Sequence, residues 1–137
     1  MKYEKLIKIF ILAFAINLVW ERLHYGLYVP HHFLAVSDYA YLLGAFLDAI
    51  YVSLAIFLFS RFAWWAPVVA TLGAGILIEK LALSFNWWSY GSMPVLPLLN
   101  TGLSPTIQLV STVLIIYLFF YTPKFSFIVQ KSSRHRD

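Results

Sequence analysis

Four apolar stretches, each close to the length that crosses a bilayer, occupy most of this chain. Three of them carry a carboxylate at a similar level: Glu21, Asp48 and Glu79. A segment that must satisfy its backbone hydrogen bonds away from water has few options, and the helix is the simplest. Composition agrees, since 61% hydrophobic and 12% charged residues with a mean hydropathy of +0.77 exclude an ordinary water-soluble domain. The expected fold is all-α: a polytopic membrane protein, a four-transmembrane-helix up-and-down bundle. It forms one domain over residues 1–137 with no separate extramembrane unit.

The helices are predicted at about 6–28, 39–60, 63–85 and 105–121, lengths that suit a hydrocarbon core of ~30 Å. The first begins like a signal peptide, with lysines before Ile9 to Trp20. Ala13, Phe14 and Ala15 fall inside the apolar run, however, and no small-residue cleavage site follows it, so the helix reads as retained. Arg61 and Phe62 make a tight turn. Residues 86–104 form a long, uncharged connection rich in Pro and Gly, expected to be ordered, and 124–137 is a flexible basic tail. There are no cysteines, which removes disulfides and thiolate chemistry.

Lys2, Lys5, Lys8, Arg61, Lys124, Lys131, Arg134 and Arg136, eight of the ten cations, fall on one side of this arrangement. The positive-inside rule therefore makes both termini cytoplasmic, in a bacterial or archaeal inner membrane. The net charge of +4 is better explained by topology and anionic lipid than by nucleic acid, which is not expected as a partner. Trp64 and Trp65 would mark the inner interface, and Trp87 and Trp88 the outer one.

Helix rise puts the acids in one layer. Lys8 to Glu21 and Arg61 back to Asp48 each span ~20 Å, Trp64 to Glu79 spans ~22 Å, and Gln108 and Thr112 lie ~18 to 24 Å from Lys124. Residues three, four or seven apart share a face, so each helix carries one polar stripe. The stripes are Asn17, Glu21 and His24; Tyr41, Asp48 and Tyr51; Thr71, Gly75, Glu79 and Asn86; and Ser104, Gln108 and Ser111. Facing inward, they would build a polar pocket in the outer half of the membrane, capped by the long connection. Carboxylates at such depth cost several kcal/mol unless paired, which makes each a functional candidate. The competing explanation is structural, because polar side chains also lock membrane helices together at about 1 kcal/mol each. Lys80 and Arg22 each follow an acid by one residue and point ~100° away from it. Lys80 is expected to snorkel, and Arg22 to meet Asp38 or a lipid phosphate. Thr71, Gly73, Ala74 and Gly75 read as helix-packing surface.

Glu21 and His24 have the i, i+3 spacing by which di-iron bundles present a carboxylate and an imidazole to one metal. A single such pair is a weak signal, and no metal or other cofactor is expected; His31 and His32 read as an exposed interfacial pair. Nucleophilic catalysis lacks a motif, and no strand exists for a phosphate loop to follow. Acid/base work fits better. Carboxyl groups in unequal apolar surroundings can divide acid and base roles on a lipid substrate, as in isomerisation, hydration or cyclisation of an isoprenoid-like molecule. Trp20, Tyr51, Trp88 and Tyr90 could stabilise a cation on that substrate. In the connection itself, Pro94, Pro97 and Pro105 stiffen the chain and Gly91 and Gly102 permit turns, giving a lid or an interfacial anchor. Ser104 and Pro105 read as cap and first residue of the last helix.

In size and helix count the chain resembles small multidrug transporters, and in its acid- and aromatic-lined bundle it resembles four-helix sterol isomerases. No motif matches either group, so no site residue is carried over. The resulting expectation is a membrane protein that binds a lipidic or small amphipathic molecule. Glu21, Asp48 and Glu79 are its candidate catalytic groups, and Asn17, Trp20, His24, Tyr51, Asn86, Trp88, Tyr90 and Gln108 its ligand-binding ones. Whether it is an enzyme stays open. Two alternatives remain: a proton- or ion-coupled transporter, as a homodimer, and an accessory subunit of a larger membrane complex.

Overall fold

A computed structural model of the chain describes residues 2–30 and 39–121. His31, His32, Asp38 and the basic residues from Lys124 onward lie outside the described residues, and with them the expected Arg22–Asp38 pair. The described residues form four helices: α1 Lys2–His24, α2 Ala40–Phe59, α3 Ala66–Ser84 and α4 Leu103–Tyr121. Helices α2, α3 and α4 are long and apolar enough to cross a membrane, as expected of an integral membrane protein. Helix α1, with 23 residues, is long enough but charged at both ends. Only Ile9 to Trp20 is free of charge, a stretch of ~18 Å that falls short of a hydrocarbon core.

The helices meet along apolar faces. Ile9 and Ala13 of α1, Ala49, Val52 and Ile56 of α2, and Leu109, Val113 and Ile116 of α4 form the buried core, with Val68 of α3 packed against it. Antiparallel pairing of α1 and α4 is fixed at both ends: Lys5 Nζ lies 3.6 Å over the Tyr121 ring, and His24 Nδ1 is 3.0 Å from Ser104 Oγ. Gly75 lets α3 approach α4, where an added Cβ would sit 3.4 Å from the Pro105 carbonyl. Gly73, by contrast, has nothing within 4 Å, so it is not part of that seam. Trp64 and Trp65 are exposed at the α2–α3 turn and Trp87 at the opposite end of α3, the separation expected of two interfacial belts.

Two short antiparallel ribbons depart from the all-α expectation. Strand β1 (Tyr28–Pro30) pairs with β2 (Trp88–Tyr90), and β3 (Val95–Leu96) pairs with β4 (Thr101–Gly102). The long connection needs partners for its backbone groups, and these ladders supply them without a helix. Helix α3 ends in a Schellman-type cap, with Asn86 N–H bonded to Leu83 O and Trp87 N–H to Ala82 O and Asn86 at φ 56°, where asparagine tolerates the left-handed region. Helix α4 starts at Leu103 rather than at Pro105. The β4 strand delivers the chain directly into the helix, so the Ser104 hydroxyl is released from capping and meets His24 instead.

Candidate functional site

The acid layer read from helix rise assembles around one cavity of about 510 Å³ between the four helices, within the usual size range of small-molecule sites. Glu21 and His24 reach it from α1, Asp48 and Tyr51 from α2, Glu79 from α3 and Gln108 from α4. Trp87 and Trp88 close its end, so the long connection forms a wall of the cavity.

One half of the site is organised by Gln108. Its Nε2 donates toward Asp48 Oδ2 at 2.7 Å, Glu21 Oε1 at 3.0 Å and Asn17 Oδ1 at 3.1 Å. Asn17, fully buried, lies beneath the cavity and not on its surface. Its own Nδ2 donates to Ala13 O at 2.9 Å, and Thr112 Oγ1 donates to its Oδ1 at 3.3 Å. A primary amide has two protons for these three acceptors, so the two carboxyls share one neutral donor. Gly44 of α2 makes the approach possible: a Cβ there would lie 3.2 Å from Glu21 Cδ. The other Glu21 oxygen is 3.3 Å from His24 Nε2. Polar groups in contact thus run from Ser104 through His24 and Glu21 to Gln108 and Asp48.

The other half centres on Glu79, which is 1% exposed. The Tyr28 hydroxyl lies 3.4 and 3.5 Å from its two oxygens. Tyr90, Trp88 and the Gly102 N–H also face it, although Trp88 Nε1 completes no hydrogen bond. The ribbon register explains the gathering, because Tyr28 is directly opposite Tyr90. Tyr90 in turn accepts the Gly102 N–H at 2.6 Å. Burial, and then the hydrogen bond to Glu79, push the Tyr90 hydroxyl above the ordinary tyrosine range, so it stays a neutral donor.

Seven of the eleven sequence-derived candidates line the cavity: Glu21, His24, Asp48, Tyr51, Glu79, Trp88 and Gln108. Asn17 and Tyr90 support it from behind. Trp20 does not line it, and its indole nitrogen is buried without a partner. Asn86 is exposed at the α3 cap, where its conformation serves the backbone. Ser104, on the polar stripe with Gln108 but expected to cap α4, instead meets His24; Tyr28 is the site residue the sequence does not reveal, because it becomes a partner only through the β1–β2 ribbon. The Glu21–His24 pair gathers no further ligands, and among the described residues no group of three His, Asp or Glu side chains is placed to hold a metal.

No family model, curated protein or solved structure matches the chain.

Proposed function

We propose that this is a four-span inner-membrane protein of a bacterial or archaeal cell whose carboxylate-lined cavity binds a lipidic, isoprenoid-like molecule and converts it by acid/base chemistry. The observation that carries the reading is the cavity: three helices each contribute a carboxyl group to one space, beside apolar walls. A bundle held together only by polar contacts would fill that space with side chains. In this reading α1 is the fourth span, its lysines reach the cytoplasmic headgroups, and the cavity lies in the outer half of the bilayer. Glu21 and Asp48, bridged by the Gln108 amide, act together as one acid/base group. Glu79, surrounded by neutral donors, is the second acid/base group across the cavity.

The test is lipid analysis of the protein purified in a lipid-retaining scaffold from its own membrane, wild type against Glu79→Gln. A specific lipidic molecule retained by the wild type and depleted in the variant supports the reading. Identical lipid profiles would contradict it.

A proton- or ion-coupled transporter is the second reading, and the line of adjacent titratable and polar groups from His24 to Asp48 favours it. In liposomes, Glu79→Gln should then abolish pH-driven flux.

A further inference from the structure

We infer that the ligand is a single-chain amphiphile with a positively charged polar end, which enters sideways from the bilayer between α2 and α3. This names the ligand class of the site proposed above and rests on that reading.

The charge inventory is one-sided. Glu21, Asp48 and Glu79 line the cavity with a single histidine, His24, and among the described residues no Lys or Arg does. Arg22 and Lys80 sit beside acids in sequence, but both are exposed and point away by ~100°. A phosphate or sulfate head would therefore meet three carboxyl groups against one imidazole that already lies 3.3 Å from Glu21, in surroundings where like charges repel strongly. At the start of α4 the Gly102 N–H is given to the Tyr90 hydroxyl, the Leu103 N–H to Pro94 O at 2.7 Å, and Pro105 has none, so three positions there have no N–H to offer an anion.

The aromatic wall has the complementary character. Tyr28 and Trp88 meet edge to face with centroids 5.4 Å apart, beside Glu79, and Trp87 adjoins Trp88 at 6.4 Å. Ring faces next to a carboxylate are the surroundings that hold an ammonium group. The same surroundings would hold a carbocation formed on an apolar chain.

The mouth is apolar. Leu43 and Leu47 of α2 line the cavity yet are each 54% exposed, and Ile78 of α3 is 39% exposed. A hydrocarbon tail leaving between α2 and α3 would lie on these residues and continue into lipid, while its head stays among the acids.

Three probes with the same twelve-carbon chain test the inference: dodecyltrimethylammonium, dodecanol and dodecyl phosphate. Each is titrated into the full-length protein in uncharged micelles while thermal unfolding is followed. The ammonium probe should raise Tm at about tenfold lower concentration than the alcohol, and the phosphate should not raise it. Leu47→Trp, which narrows the mouth at an exposed position, should remove the ammonium effect; persistence of that effect would overturn entry between α2 and α3. An alcohol or phosphate as effective as the ammonium would overturn the cationic class and leave the ligand site standing. No response to any probe, in wild type as in Leu47→Trp, would overturn the ligand site itself.

Discussion

Gln108 Nε2 on α4 lies 2.7 Å from Asp48 Oδ2 on α2, and the same nitrogen is 3.0 Å from Glu21 Oε1 on α1. One neutral amide is thus the bridge between two acids on different helices. The consequence is testable by removing the donor while keeping the volume. Gln108→Leu should lower stability by about 2 kcal/mol, the scale for stranding buried charged or polar groups, measured by unfolding in mixed micelles. A variant as stable as wild type would mean that the two carboxyls do not depend on this amide.

Gly44 separates packing from function. An alanine there would press on the Glu21 carboxyl, whose Oε2 would lie 3.3 Å from the new Cβ. Alanine also favours a helix over glycine by up to ~1 kcal/mol. Gly44→Ala should therefore keep or slightly raise stability while weakening retention of the bound lipidic molecule in the purified protein. Full retention would show that the position of Glu21 does not matter to the site.

Tyr90→Phe removes the acceptor of the Gly102 N–H and should cost about 1–2 kcal/mol. The hydroxyl also carries a pH signature. Its folded-state pKa is raised, chiefly by burial and then by Glu79, so its contribution is complete below the ordinary tyrosine pKa of about 10 and is lost as pH rises through the higher folded value. Wild type should lose more stability than Tyr90→Phe on moving into that alkaline range. Parallel pH profiles would contradict the account.

Asn86 distinguishes a backbone role from a ligand role. At φ 56° glycine fits as well as asparagine, whereas a β-branched residue is strained by ~1–2 kcal/mol. Asn86→Gly should leave both ligand retention and stability nearly unchanged, and Asn86→Val should destabilise in the same unfolding assay. Loss of ligand in the glycine variant would return Asn86 to the binding surface.

The acid layer is legible in the sequence because helix rise alone converts the positions of Glu21, Asp48 and Glu79 into one level, and the stripe through Asn17, Glu21 and His24 follows from 3.6-residue periodicity. Contacts that depend on the connections are not. Tyr28 reaches Glu79 across 51 positions and His24 reaches Ser104 across 80, and both depend on how the chain between β1 and α4 is paired. Two-residue strands such as Val95–Leu96 are too short to show an alternating pattern, so the ribbons leave no periodic trace. Asn86 illustrates the opposite failure: its place on a polar stripe is real, but the helix ends before it and turns it outward.

The most direct test of the central claim is a structure of the protein crystallised from a lipidic mesophase after gentle extraction with its native lipids. The account predicts elongated density whose polar end lies within contact of Glu79 and the Glu21–Asp48 pair and whose tail leaves between Leu47 and Ile78. A cavity closed by inward collapse of the surrounding side chains, with the three carboxyls bonded only to protein groups, would contradict it and leave the acids as helix-locking contacts.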